Sequence, residues 1–299
     1  MKALALINEK SGAVQRIGAD AIRRHVEAAQ STVTDLSVET VAGEHAVLMK
    51  ALQRKDEFDV VVSAGGDGTQ AAVAGALLGS ETALLPLPCG TMNMLCHDLG
   101  IPQDIEAALR AGLSGEVDAI DAGVIGDRVF LNNVVVGAYA EMAEAREELR
   151  DAETLDEVSY GLVAGANALF HAEPMAFHLE IDDAATKLET NTIAISNNAV
   201  SGADTLRPYR DRLDEGDLYL YLTKARHGGD FASFLADFAA GSAESSSEIS
   251  VRQCKRCVVH ADGKRFSYSV DGDPLETDAP IHLEIKPRAL KIYRPRKAQ

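Results

Sequence analysis

A chain of 299 residues, 46% hydrophobic and 25% charged, has an ordinary globular composition and is long enough to bury two cores. Its formal net charge of −17 speaks against nucleic acid as a partner, because phosphate backbones select basic surfaces. The charge is uneven: Val251–Gln299 holds eleven Lys/Arg against six Asp/Glu, so the first 250 residues carry −22. The basic tail, from Lys286 to Lys297, reads either as a charge-protected strand edge or as a surface for anionic lipid or nucleotide phosphate. The four cysteines accompany no secretory signal and no apolar run of the ~18 residues that a spanning helix needs. The expectation is a cytoplasmic protein whose membrane contact is peripheral, at the inner face.

Strands and helices alternate over the first 120 residues. Strands are expected at 2–7, 35–40, 59–63 and 83–87, with helices at 13–29, 44–54 and 69–78 and helical segments up to 111. That rhythm predicts an α/β domain with a doubly wound parallel sheet, whose ligand site lies beyond the carboxyl ends of the strands. After about Val117 the pattern changes. Short strands are expected at 119–125, 129–136, 176–181, 192–196, 218–223, 257–261, 266–270 and 281–285. Helices at 138–150, 158–169 and 231–240 interrupt them. This half reads as an antiparallel β-sandwich. No internal repeat is found, and the polar run 242–247 reads as a loop.

Three loops follow predicted parallel strands. In the first, Val60-Val61-Val62-Ser63-Ala64 runs into Gly65-Gly66-Asp67-Gly68-Thr69, and a helix begins at once. Glycines at a strand-to-helix turn let backbone amides and the helix N-terminus face a phosphate. An aspartate inside such an anion site would be repelled unless it met a metal ion, a metal-bound water or a substrate proton. Asn8-Glu9-Lys10-Ser11-Gly12 follows the first strand, and Pro88-Cys89-Gly90-Thr91-Met92-Asn93 the fourth. Each is commonplace alone, but the three at matching strand ends point to one site.

In these loops the chain resembles the diacylglycerol kinase catalytic-domain family, the bacterial lipid kinases related to sphingosine kinases. The likeness continues through Asn132/Asn133 with Gly137, Asp214-Glu215-Gly216 and Asp271-Gly272-Asp273. The Gly-rich motif is shared with NAD kinases, and the later motifs favour the lipid-kinase branch. The resemblance implies an ATP-dependent, Mg2+-requiring transfer of the γ-phosphoryl group to a hydroxyl of a diacylglycerol-like lipid at a membrane surface. Nucleotide contacts would fall on Asn8, Lys10, Ser11, Gly12, Thr40, Gly65, Gly66, Asp67, Gly68, Thr69 and Thr91. Asp67 would organise catalytic Mg2+, and Asp273 would be the general base. A structural Mg2+ would take the backbone carbonyls of Arg212 and Asp217 and the carboxylate of Glu215, a donor set suited to a hard cation. The second domain would be a β-sandwich covering 121–287, and residues 288–299 would return to an α/β domain of 1–120. The acceptor would enter between the two domains.

The chain departs from the family pattern at several points. Asp273 stands where the family has Glu, one methylene shorter, and Ala71-Ala72 where many members have Asn-Glu. Glu215 replaces the usual Asp, and Asp217 an apolar residue. Two alternatives stay open: an NAD kinase-like enzyme, and a nucleotide- or lipid-binding protein without turnover. The sequence leaves oligomeric state open, a homodimer included. Cys254-Lys255-Arg256-Cys257 is a single C-x-x-C, and on one strand its thiols would face opposite sides, so it does not read as a zinc site. Cys89 and Cys96 read as small buried residues, and the acidic stretch 141–156 as a solvated face.

Overall fold

The computed structural model describes residues 1–29, 33–137, 174–204, 207–223 and 249–296. The helices expected at 138–150, 158–169 and 231–240, the acidic stretch 141–156 and the polar run 242–247 lie outside the described residues. The chain forms two compact units. The first comprises Met1–Ala122, Asp211–Glu215 and Lys286–Gln299, and the second Gly123–Arg210 and Gly216–Ile285.

In the first unit β1 (Lys2–Asn8) leads to helices α1 (Gly12–Ile17) and α2 (Ala19–Ala28), then β2 (Asp35–Val41) and α3 (Glu44–Arg54). There follow β3 (Val60–Gly65), α4 (Asp67–Leu77), β4 (Ala83–Pro88), α5 (Met94–Asp98), α6 (Ile105–Leu113) and β5 (Glu116–Ile125), whose last three residues belong to the second unit. The sheet order is β2-β1-β3-β4, all parallel, with Ala3 opposite Val60 and Val61 opposite Leu84. Every residue of β3 and β4 is buried, as expected for strands of a parallel sheet covered on both faces. The single helix expected at 13–29 is two helices. Gly18, at φ 91°, closes α1 by donating its amide to the Val14 carbonyl, and its own carbonyl accepts from Ala21 at the start of α2.

The second unit contains β6 (Arg128–Phe130), β7 (Asn133–Gly137), β8 (Met175–Ile181), β9 (Ala184–Thr190) and β10 (Thr192–Asn197). These are followed by the hairpin of β11 (Gly202–Asp204) and β12 (Arg207–Tyr209), then β13 (Leu218–Thr223), β14 (Ile249–Cys254) and β15 (Arg256–His260). The series ends with β16 (Phe266–Val270), β17 (Asp273–Thr277) and β18 (Ile281–Arg294). One antiparallel sheet runs β14-β13-β10-β7-β16-β17, and in the other the first part of β18 pairs with β15, β15 with β8, and β8 with β9. Val136, Ile195 and Leu220 of the first sheet share one buried core with Phe177, Val259 and Leu283 of the second. Alternating strands bury one face of each sheet, and the result is a β-sandwich.

Two local expectations change. The strand expected at 129–136 is broken at Leu131-Asn132, whose amides turn to bond the Asp271 carboxylate instead of a neighbouring strand. The C-x-x-C does not lie on one strand: Cys254 ends β14 and Cys257 lies in β15, so both thiols enter the same core. Burial pushes the Cys254 thiol up to about 12 and raises that of Cys257 as well. In the basic tail, three residues are ion-paired: Arg288 with Asp214, Lys291 with Glu81, and Arg294 with Asp118 at 2.8 Å. Among the described residues no helix is long and apolar enough to cross a membrane.

Candidate active site

The loops after β1, β3 and β4 are bonded into one assembly. Asn8 is buried at the end of β1; its Nδ2 donates to Thr69 Oγ1 at 2.9 Å, and its Oδ1 accepts the amides of Lys10 (3.1 Å) and Gly43 (2.8 Å). Ser11 Oγ donates to the Cys89 carbonyl at 2.7 Å. Asn93, in the left-handed region at φ 50°, accepts the Gly90 amide at 2.7 Å and so curls its own loop. The β3 and β4 loops then touch backbone to backbone. A Cβ on Gly90 would lie 2.6 Å from the Gly66 Cα, which no side chain could occupy without separating the loops.

Asp67 opens α4, and its Oδ1 accepts the Met94 amide at 2.8 Å, at the start of α5. Burial pushes its carboxyl above the usual carboxylate range, while the amides of Met94, Leu95 and Asn93 pull it back down. The residue thus fastens the β3 loop to the β4 loop with its charge kept against dipoles. Lys10, Gly12, Thr40 and Thr91 are exposed, and Gly66, Asp67 and Gly68 are half-buried. Thr40 Oγ1 accepts from Arg23 Nη2 at 2.9 Å. Asn8 and Thr69 are clips inside the assembly, whereas Lys10 and the glycine amides form its accessible part.

Two residues that the sequence reading passed over help to build this assembly. Gln70 is buried, and its Nε2 donates to the carbonyls of Leu87 (3.0 Å) and Gly65 (3.3 Å), which ties the ends of β3 and β4 together. The Glu44 carboxylate lies against Gly68, so close that a Cβ there would be 2.2 Å from Oε1. The only sequence signal for Gln70 was a long polar side chain in the first turn of an Ala-rich helix. Glu44 gave no signal beyond an acid in a first turn.

The second unit holds the Asp271-Gly272-Asp273 turn. Val270 pairs with Asp273, and the two residues between them have φ 48° and 94°, the pattern of a two-residue type I′ hairpin. Asp271 accepts the amides of Leu131, Asn132 and Asn133 at 2.7, 2.8 and 3.0 Å, which fixes the turn to the β6–β7 connection. Asp273, the first residue of β17, is half-exposed, and its Oδ2 lies 3.1 Å from Arg128 Nη2. Behind the turn, the buried Arg210 donates to the Leu131 carbonyl (2.6 Å), the Asn197 carbonyl (2.8 Å) and Asn132 Oδ1 (2.9 Å). Asp67 belongs to the first unit and Asp273 to the second.

Arg212 and Glu215 fall in the first unit and Asp217 in the second. Asp214 sits between Arg212 and Arg288, whose hydrogen bonds, Arg288 foremost, hold its carboxyl below the usual range. The buried Asp121, also unflagged by the sequence, accepts the Arg288 amide at 2.8 Å and donates its own amide to the Leu213 carbonyl at 2.7 Å. Among the described residues, no three His, Cys, Asp or Glu side chains are grouped so as to hold a metal ion.

Comparison with known proteins adds a family likeness to this geometry. The profile of the diacylglycerol kinase catalytic domain matches residues 2–125, and that of the YegS C-terminal NAD kinase beta sandwich-like domain matches residues 132–294. An uncharacterized Synechocystis protein is 30% identical over 189 residues, which is 60% of this chain and 43% of the relative, so the chain spans under half of that protein. A diacylglycerol kinase of Bacillus subtilis is 27% identical over 262 residues, 85% of this chain and 83% of the relative. The crystal structure of a diacylglycerol kinase from Bacillus anthracis strain Sterne superposes with a TM-score of 0.74 at 18% identity, covering 98% of this chain and 96% of that one. At that identity the superposition speaks for the fold alone.

Proposed function

Because the chain belongs to the diacylglycerol kinase catalytic-domain family, with a YegS-type β-sandwich as its second half, we propose that it is an ATP-dependent lipid kinase acting on a diacylglycerol-like hydroxyl. One observation carries the reading. Three loops at the carboxyl ends of β1, β3 and β4 are clipped together around the contact of Gly66 with Gly90, and they present glycine amides and Lys10 at a helix start. Such a surface suits a polyphosphate, which needs close backbone approach and a positive helix end.

In this reading the acceptor hydroxyl oxygen attacks the γ-phosphorus, the bond to the β-phosphate oxygen breaks, ADP leaves, and Asp273 takes the hydroxyl proton. The amides of Gly65 to Thr69 and the loop Asn8 to Gly12 hold the phosphates. Thr40 and Thr91 border the nucleotide. Asp67, a carboxylate whose ionised form is short of solvation, would hold a magnesium ion accompanying the nucleotide, which would supply neutralisation of phosphate charge. Transfer of this kind depends on positioning and charge neutralisation, which matches a site of glycines and carboxylates. The acceptor would be met at a membrane surface, by peripheral contact from the cytoplasm.

The test is transfer of radiolabelled γ-phosphate from ATP with diacylglycerol vesicles, with NAD, and with neither. Label in the lipid phase supports the proposal. Label in NADP would move the chain to the NAD kinase reading, and label in neither would leave nucleotide or lipid binding without turnover.

A further inference from the structure

A fourth loop of the first unit, between β2 and α3, is clipped to the same end of the sheet. The Glu9 amide donates to the Val41 carbonyl at 3.0 Å, and the Gly43 amide to Asn8 Oδ1 at 2.8 Å. Gly43, at φ 91°, turns the chain into α3, and the stem of Lys10 lies against it, since a Cβ there would be 3.6 Å from Lys10 Cδ. Next comes Glu44, half-buried at the start of α3. α3 packs against α4, and the Glu44 carboxylate ends on Gly68, where a Cβ would lie 2.2 Å from Oε1 and 3.1 Å from Oε2.

On a helix a side chain covers the turn N-terminal to its own Cα, so a long side chain at position 72 would cover Gly68. This chain has Ala72 where many members of the family have Glu. The carboxylate absent from α4 is thus returned to the same turn from α3, and Gly68 leaves room for it.

A carboxylate beside a polyphosphate site is repelled by the phosphates and suits a different part of the ligand. Asp67 turns toward the β4 loop, where the Met94 amide holds it. Glu44 comes from the β2 side, shortly after Thr40. With the phosphates at the start of α4 and the metal at Asp67, the β2 side is left for the nucleoside. The nucleoside groups that seek an anionic acceptor are the ribose hydroxyls, and an acid beside a phosphate loop reads them so in dinucleotide folds.

We propose that Glu44 is a specificity-determining residue, whose carboxylate accepts a hydrogen bond from a ribose hydroxyl of the bound nucleotide and so selects ribonucleotides over deoxyribonucleotides. This rests on the nucleotide half of the kinase reading and not on the lipid acceptor.

The test is calorimetric binding of ATP, 2′-deoxy-ATP and 3′-deoxy-ATP to the full chain at fixed Mg2+, without lipid. In the wild type at least one deoxy analogue should bind about tenfold or more weakly than ATP, the reach of a hydrogen bond to a charged group. Glu44→Ala should weaken ATP to the level of that analogue and leave the analogue's own affinity nearly unchanged. Glu44→Asp keeps the charge and shortens the arm by one methylene, so it should lose most of the same preference. It carries the comparison if Glu44→Ala does not fold.

Both deoxy analogues binding as tightly as ATP would overturn the proposal. So would Glu44→Ala keeping the wild-type preference, or weakening all three nucleotides alike. If added Mg2+ restored that common loss, the carboxylate would belong to the metal instead. Lipid labelled from ATP, with no discrimination against either analogue, would end this inference and leave the kinase reading standing. A ribonucleotide preference with no label in any lipid would do the reverse.

Discussion

Asp67 in the first unit and Asp271 in the second occupy matching chemical positions. Each stands beside a glycine in a tight turn, and each takes backbone amides on its carboxylate. They differ in what else is asked of them. Asp271 is an anchor, and the proposed chemistry belongs to Asp273 two residues on, which faces Arg128. Asp67 combines both tasks in one side chain: it fastens the β4 loop and is the carboxylate proposed to meet the nucleotide's magnesium. Where anchoring and chemistry are divided between residues, a substitution can remove one and spare the other. Where they coincide, only an isosteric change can tell them apart.

The largest effect should come from Asp67→Asn. Its amide oxygen can still accept from Met94, so the loops should stay joined while phosphoryl transfer falls by about 10³-fold or more, the several kcal/mol expected of a metal-organising carboxylate. Near-normal kcat at saturating Mg2+ would remove the chemical half of its double role. Asp273→Asn should lower kcat by about 10²–10⁴ with little change in ATP affinity or stability. Asp273→Glu restores the family's longer arm, and activity assays on several lipids should show it retained or shifted toward another acceptor. If Asp273→Asn turned over like the wild type, the proton would have to go elsewhere.

Asp271→Ala should act on stability. Three amides lose one acceptor, at a cost of about 3 kcal/mol, read as a lower urea midpoint with unchanged slope. A smaller effect is pH-dependent. An acid whose folded pKa lies above its unfolded value binds its proton more tightly when folded. The ionised form therefore costs stability at high pH, and the cost disappears as pH falls below the unfolded value near ~4. Burial raises the Asp67 pKa, so Asp67→Asn should melt slightly above the wild type at neutral pH, with the gap closing under acid. A gap that widened under acid would show that the amides, not burial, dominate the site.

Much of the first unit was legible because its signals are local. The runs Val60–Val62 and Ala83–Leu87 are continuous apolar strands, and the glycines that follow announce a strand-to-helix turn within a few residues. The second unit gave less away. The outer strand β9 was missed because only one of its residues is buried, which leaves no apolar alternation to read. Lys255 Nζ donates to the Gly216 carbonyl, a contact made 39 residues away in sequence. The same applies to the clips: that Asn8 would bond Thr69, 61 residues on, follows from parallel pairing of β1 with β3, which no spacing reveals. The helix break at Gly18 was legible in principle, since one glycine ended the periodicity.

β18 begins in one unit and ends in the other, and its last residues lie far downstream of β4 in the chain. Ile292 pairs with Leu84, Gly79 donates to the Ala289 carbonyl, and the Tyr293 hydroxyl reaches Met1. On the ribosome, β4 must therefore wait with an unpaired edge until some two hundred further residues have emerged. Contacts so distant in sequence are slow to form, and a waiting edge strand is a template for the wrong neighbour. A nascent chain interrupted before residue 286 would expose that edge permanently. Protease susceptibility of arrested chains of increasing length should accordingly fall in one late step, as β18 closes the sheet.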